Sequence, residues 1–277
     1  MDCVSKVVFL DVDGTLLDQY QQLPDSTRRA LTAAQAAGNS LILCTGRSKH
    51  EIYPWLLSVG FIGFIGGNGA YAEVDGHVVQ DERLSHPEIV EISSWLDDLG
   101  AGWLWQSPES LNPSQNFLER FVGRSADGGI QGDWSSFAEQ IAPYVREGIP
   151  TTASKVTFTL PHSCGVTLDD AREHFLNRYT IVDGSIVNPD GLTGELSALG
   201  MSKAIGLTKV ADFLKVSVHD TVAVGDSAND VEMLSVAGIG VAMGNATPAA
   251  RAAADWSTTS IDEDGIYNAF RKLKLIP

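Results

Sequence analysis

The chain has 277 residues, 44% of them hydrophobic, with 19 Lys and Arg against 35 Asp and Glu and a formal net charge of −16. That length gives one large or two medium domains, and that apolar content excludes a disordered chain. The acidic balance excludes nucleic acid and anionic membrane as main partners, and any anion site must supply its own positive charge locally.

Cys3, Cys44 and Cys164 are few, odd in number and without metal-ligand spacing, which points to reduced thiols in the cytoplasm. No stretch has the length and apolar character of a leader or a membrane span. In chain order, Val7 to Leu10 is an apolar run closed by Asp11-Val12-Asp13-Gly14-Thr15, and it reads as a fully buried strand. Pro24-Asp25-Ser26 opens an amphipathic helix that Gly38 and Asn39 end. Ser40 to Cys44 is a second buried strand, with Thr45-Gly46-Arg47 at its carboxyl end. A helix over Lys49 to Ser58 must kink or start late at Pro54. Phe61 to Ile65 is a third strand, followed by Gly66-Gly67-Asn68-Gly69. A hairpin then pairs Tyr71–Val74 with His77–Gln80 about Asp75-Gly76.

Strand and helix alternate through this first third, as in a doubly wound parallel sheet. From about Glu82 to Asp190 the pattern becomes irregular. Helices are expected at Pro87–Leu99 and Thr167–Asn177, and strands at Gly102–Gln106, Phe117–Val122 and Ser154–Leu160. Tyr179–Val182 and Ser185–Val187 read as a hairpin, and Ser107–Gln115 and Ala126–Gly132 as loops. The doubly wound pattern resumes with a helix led by Met201-Ser202-Lys203, a buried strand Asp220–Val224 and the segment Gly225-Asp226-Ser227-Ala228-Asn229-Asp230. A helix Val231–Val236, a strand Gly238–Ala242, a helix Thr247–Ala253 and a closing segment Asp264–Leu273 follow. The expected fold is therefore α/β: a doubly wound parallel-sheet core over residues 1–81 and 191–277, with an inserted α+β domain over 82–190.

Asp11 and Asp13 stand two apart, so in extended chain both can face one site at the carboxyl end of the first strand. Like charges this close need a proton or a cation between them, and magnesium, a small hard ion, suits carboxylates and phosphate oxygen. A solvated turn or half a calcium loop would also carry Asp-x-Asp-Gly, but Thr15, Leu16 and Leu17 break the calcium pattern. Thr45, Lys203 and Asp226 with Asn229 and Asp230 also sit at or beside ends of expected parallel strands. Together they form an inventory suited to phosphoryl transfer, in which a carboxylate can serve as nucleophile. Each has a plain structural alternative. Lys203 could be a solvated charge, Thr45 and Ser227 helix caps, Asp230 a first-turn acid, and Arg47 a surface residue. In the inserted segment, Trp103 and Trp105 could stack on a sugar ring or fill a core, and Lys155 could meet a distal phosphate or carboxylate.

Asp11-Val12-Asp13-Gly14-Thr15, Thr45-Gly46-Arg47, Lys203 and Gly225-Asp226-Ser227-Ala228-Asn229-Asp230 resemble, in order and spacing, the four motifs of the haloacid-dehalogenase-like superfamily. Asn68-Gly69-Ala70 and the large insertion after the third strand look like its Cof-type sugar-phosphatase branch. The resemblance implies that Asp11 is the nucleophile and that Asp13 protonates the leaving oxygen and later activates water. It implies that Thr45 and Lys203 hold the phosphoryl group, and that magnesium is held by Asp11, the backbone carbonyl of Asp13 and Asp226. Asp230 supports the site. Gly46, Arg47, Asn68, Asn229 and Lys155 are expected to contact substrate. The expected activity is magnesium-dependent hydrolysis of a small phosphorylated sugar or sugar derivative, with a phosphomutase or a non-catalytic sugar-phosphate-binding protein as alternatives. The expected form is a monomer or small homo-oligomer in the cytoplasm, with a small phosphorylated metabolite as partner and neither nucleic acid nor membrane.

Overall fold

The computed structural model describes residues 5–117, 134–184 and 191–277. They divide into two compact units. One comprises the chain up to Arg47 with Ile52–Gln80 and Ser202–Pro277, and the other Ser48–Glu51 with Asp81–Met201.

The chain opens with β1 (Val7–Leu10), α1 (Asp25–Ala36), β2 (Ser40–Cys44), α2 (Pro54–Leu57), β3 (Gly63–Gly66) and the hairpin β4 (Tyr71–Val74) and β5 (His77–Asp81). The middle supplies β6 (Leu84–Ser85), α3 (His86–Asp98), β7 (Gly102–Gln106), β8 (Leu111–Pro113), α4 (Trp134–Ile141), β9 (Thr152–Ala153), β10 (Lys155–Pro161), α5 (Leu168–His174), β11 (Tyr179–Asp183) and β12 (Gly191–Ala198). The return adds α6 (Lys203–Leu214), β13 (Thr221–Gly225), α7 (Val231–Val236), β14 (Ile239–Ala242), α8 (Pro248–Ala253), β15 (Trp256–Ser257) and α9 (Gly265–Lys272).

The first unit is built on one sheet, ordered β15-β14-β13-β1-β2-β3-β4-β5. Pairing is parallel from β15 through β3 and antiparallel between β3 and β4. β1 lies between β2 and β13, with Val7 opposite both Ser40 and Thr221. Valine, phenylalanine and leucine suit this place because both faces of a central parallel strand are covered, and all four β1 residues are buried. The chain leaves β1 on one side first and returns on the other much later. β1 is therefore the topological switch point, where open α/β sheets present their sites. Lys49–Ser58 is not one helix: Lys49–Glu51 forms a separate 3-10 turn, and α2 begins at Pro54, where the missing N–H costs nothing. Asp75 and Gly76 both take positive φ, the turn that matches strand twist in a tight hairpin.

The second unit carries a five-stranded antiparallel sheet, ordered β11-β12-β10-β7-β8. Val156, Phe158 and Leu160 of β10 join Trp103, Trp105, Leu196 and the apolar stripe Ile89, Ile92 and Leu96 of α3 in one core. α3 begins with a cap in which the Ser85 N–H and hydroxyl donate to Glu88 Oε2 at 2.8 and 2.6 Å.

The middle differs from the sequence expectations in four places. Gly191–Ala198 was expected in the parallel-sheet unit. It is β12, hydrogen-bonded along its length to β10, and its alternation of Thr193, Glu195 and Ser197 with small or apolar residues is that of an antiparallel strand. Tyr179–Asp183 pairs with this strand, and the expected partner Ser185–Val187 lies outside the described residues. Leu111–Pro113, expected in a loop, pairs with β7 at the sheet edge, where a proline is tolerated. Phe117 is helical, and the rest of the expected strand Phe117–Val122 lies outside the described residues, as does the loop expected over Ala126–Gly132. Among the described residues no helix is long and apolar enough to cross a membrane.

Candidate active site

Asp11 directly follows β1, and its N–H donates to Val224 O at 3.0 Å, which extends the parallel ladder one residue past the strand. Its carboxylate is 4% exposed. The chain then turns back at once, with Leu16 and Leu17 N–H both donating to Val12 O. Gly14 makes that turn with φ of 83°, and a Cβ there would stand 2.4 Å from Asp226 Oδ2. A side chain at this position would fill the space that lets the two acidic loops meet.

Lys203 opens α6 and is fully buried, with its ammonium donating to Asp11 Oδ1 and to Asp230 Oδ1, each at 2.6 Å. Burial alone would pull the lysine toward neutrality, but the two carboxylates more than offset it and hold it charged. The solvated-charge alternative for Lys203 is thereby overturned. Asp230 spends its other oxygen on the N–H groups of Asp226 and Ser227, both at 2.9 Å. It therefore caps the short turn Ala228–Asp230 and receives Lys203 at the same time.

Asp11 Oδ2 is buried and has no hydrogen-bond donor. Burial pushes the Asp11 carboxyl up, Asp230 and Asp226 push it further, and Lys203 opposes them. Asp226 is pushed up to about 7, by burial first and then by Asp230. Asp11, Asp226 and Asp230 bring carboxylate oxygens within 4.8 Å of one another. Three carboxylates thus face one ammonium, and a divalent cation would cancel the excess. The all-oxygen donor set suits a hard ion. Asp230 is already saturated with donors, so Asp11 and Asp226 are the side chains that fit a cation. Asn245, at the end of the loop after β14, donates to Gly14 O at 2.8 Å and lies 3.5 Å from Asp226 Oδ2. Sequence reasoning passed over Asn245, although its place after the next parallel strand was a usable signal.

Thr45 ends β2. It is buried, and its hydroxyl accepts the N–H of Arg47 at 3.1 Å across Gly46. Asn68 is buried with a left-handed φ of 54°. Its amide oxygen accepts from Asn229 Nδ2 at 3.1 Å. Its N–H reaches Thr45 O at 3.3 Å. The loops after β2, β3 and β13 therefore converge as the motif spacing requires.

Asp13 has a separate set of partners. Arg47 grips it through Nε to Oδ2 at 2.8 Å and Nη2 to Oδ1 at 2.5 Å, and Gln21 Nε2 donates to Oδ1 at 3.2 Å. Burial works to raise this carboxyl, but Arg47 and then Gln21 more than offset it and hold it below the usual range. The surface alternative for Arg47 is also overturned: its guanidinium lies over the Tyr53 ring, 5.4 Å from the centroid. Gln21 was missed from sequence, where nothing in spacing or composition marks it.

Lys155 lies in the second unit, 2% exposed, with its ammonium 2.8 Å from Glu195 Oε1. The expected distal contact is not what it offers here, because its charge is already paired. Trp105 is fully buried and donates to Ser93 Oγ at 2.8 Å, and Trp103 donates to Asp97 Oδ1 at 2.7 Å. Both belong to the core.

A model of the haloacid dehalogenase-like hydrolases matches residues 8–270. The Bacillus subtilis protein YkrA is 30% identical over 284 residues, covering 98% of this chain and 99% of its own. YitU of the same organism, a 5-amino-6-(5-phospho-D-ribitylamino)uracil phosphatase, is 44% identical over 275 residues, with 96% of each chain covered. The solved structure of the subclass IIB sugar phosphatase BT4131 superposes with a TM-score of 0.76 at 25% identity, covering 98% of this chain and 100% of that one. The chain belongs to the haloacid dehalogenase-like hydrolases. Within them it is a phosphatase, a hydrolase of phosphoric monoesters.

Proposed function

We propose that this phosphatase acts on small phosphorylated sugars or sugar derivatives through an aspartyl-phosphate at Asp11. The observation that carries the mechanism is the state of Asp11. One carboxylate oxygen is fixed by Lys203, and the other is buried without a donor. An oriented oxygen that no amide, hydroxyl or ammonium group holds is what a nucleophile needs.

Asp11 attacks phosphorus as the bond to the substrate oxygen breaks. Asp13 must enter this step protonated; it gives that proton to the leaving oxygen, and Arg47 stabilises the carboxylate left behind. Asp13 then takes a proton from the water that attacks phosphorus, which frees Asp11 and inorganic phosphate. Thr45 and Lys203 hold the phosphoryl oxygens, Asp230 fixes Lys203, and Gly46, Arg47, Asn68 and Asn229 line the substrate. A magnesium ion held by Asp11, Asp226 and the backbone carbonyl of Asp13 would neutralise charge gathering on the phosphoryl group. We read the second unit as the inserted cap that selects the substrate. The sugar reading is supported by YitU and BT4131, whose substrates are a phosphorylated ribityl compound and sugar phosphates. The free thiols Cys44 and Cys164 suit a cytoplasmic enzyme.

The test is phosphate release from a panel of sugar and sugar-alcohol phosphates, by wild type and Asp11→Asn, each with magnesium or with chelator. Release that needs both Asp11 and magnesium is expected. Isomerised sugar phosphate formed faster than free phosphate would instead identify a mutase.

A further inference from the structure

The catalytic scheme gives no role to Gln21, yet both its backbone and its side chain are held in place. It sits in the loop after the Asp11 turn with φ of 61°, a left-handed backbone that non-glycine residues seldom adopt. Asp18 imposes it. The Asp18 carboxylate Oδ1 accepts the N–H groups of Tyr20 and Gln22 at 2.8 and 2.9 Å, and its carbonyl accepts that of Gln21 at 3.0 Å. The loop closes with Asp18 N–H donating to Gln22 O at 3.0 Å.

The side chain uses both ends of its amide. Nε2 donates to Asp13 Oδ1 at 3.2 Å. Oε1 accepts from Arg47 Nη2 and, at 3.4 Å, from the Tyr53 hydroxyl. The amide orientation is fixed by its neighbours, since a guanidinium only donates and a carboxylate only accepts. Gln21 therefore joins Asp13 to Arg47 and completes a ring of contacts in which each fixes the other two.

We propose that Gln21 is a positioning residue that sets the orientation of Asp13 for proton transfer to the leaving oxygen. The proposal rests on the reading of Asp13 as proton donor. When the bond from phosphorus to the ester oxygen breaks, the electron pair stays on that oxygen. An alkoxide must then receive the Asp13 proton, whereas a p-nitrophenolate is stable without one. A misaligned Asp13 therefore slows alkyl phosphates and spares aryl phosphates.

The test measures kcat/KM for glycerol phosphate and p-nitrophenyl phosphate in wild type, Gln21→Ala, Gln21→Glu and Gln21→Gly. Gln21→Ala is expected to lose about tenfold on the alkyl ester, the worth of one positioning hydrogen bond, and under about twofold on the aryl ester. Gln21→Glu keeps the acceptor for Arg47 but not the donor to Asp13, so it should show at least the same selective loss. Gln21→Gly relaxes the left-handed backbone. It should keep the melting temperature while reproducing the loss, which guards against a folding artefact. Equal losses on both esters, or none on either, would overturn the proposal. Asp11→Asn and Asp13→Asn test the underlying reading separately. Activity retained in Asp11→Asn, or an Asp13→Asn defect equal on both esters, would overturn the scheme itself, whatever Gln21 does.

Discussion

Both units bury charge, and they do so in opposite ways. In the second unit Lys155 meets Glu195 at 2.8 Å. Beside it Gln106 donates to Glu51 at 2.6 Å and accepts from Thr157 at 2.8 Å, and Glu51 also accepts the Ser48 N–H at 2.7 Å. Charges and amides there find partners. In the first unit Lys203 is shared between two carboxylates, a third stands close by, and Asp11 Oδ2 has no donor. A satisfied polar network specifies a fold. A buried excess of negative charge with an unpartnered acceptor stores a cost that a ligand relieves. Ser48 Oγ and Ser154 Oγ of the second unit also lack partners, so it is the excess of buried charge, rather than an unpartnered atom alone, that marks the candidate site.

The largest expected effect is on chemistry. Asp11→Asn should lower kcat by at least about 10⁴-fold. It should leave the metal-free protein no less stable, because it removes charge from a crowded carboxylate cluster. Turnover and thermal melting on one preparation check both halves. Next is the second unit, where Lys155→Met should cost about 3–5 kcal/mol by removing the buried ammonium that faces Glu195. The double variant with Glu195→Leu should recover most of that in urea denaturation. An equally costly double variant would mean that the cost does not come from breaking this pair.

The third effect sharpens the contrast through pH. Asp226 is pushed up to about 7, above its value in the unfolded chain. The folded state then binds the proton more tightly, and this group's contribution to stability rises as pH falls through about 7 toward the unfolded range near 4. A divalent cation competes with that proton. The rise in melting temperature on adding magnesium should therefore be larger at about pH 8 than at about pH 5.5. Asp226→Asn should melt higher than wild type without metal and lose most of the magnesium response. The smallest effect concerns Asp13, held low by Arg47 against burial. Arg47→Ala should raise the Asp13 carboxyl, so the ionised form is lost at a higher pH. The acid limb of the kcat profile should move up by about one unit.

The first unit was legible in sequence because a central parallel strand is an unbroken apolar run, and the residue after it is at the site by position alone. Asp11, Thr45 and Asp226 were placed at the candidate site that way. The second unit was less legible because one face of its sheet is polar and yet buried. Lys155, Thr157 and Thr159 alternate with Val156, Phe158 and Leu160 as a solvent face would, but all three are under a tenth exposed. Alternation reports polarity, not exposure, and hydrogen bonding to Glu195 and Gln106 makes the difference. Sequence named Arg47 as a substrate contact or a surface residue, and neither reading anticipated its grip on Asp13. Gln21 was out of reach altogether, because its role follows from a loop conformation set by Asp18.

The central claim is that phosphate passes through Asp11. The direct measurement is rapid acid quench during turnover, borohydride reduction and mass analysis of the peptide spanning β1. An acyl phosphate on Asp11 would be reduced to homoserine at that position, and only when substrate and magnesium are present. An unmodified Asp11 in protein that is releasing phosphate, or modification at another carboxylate, would contradict the account.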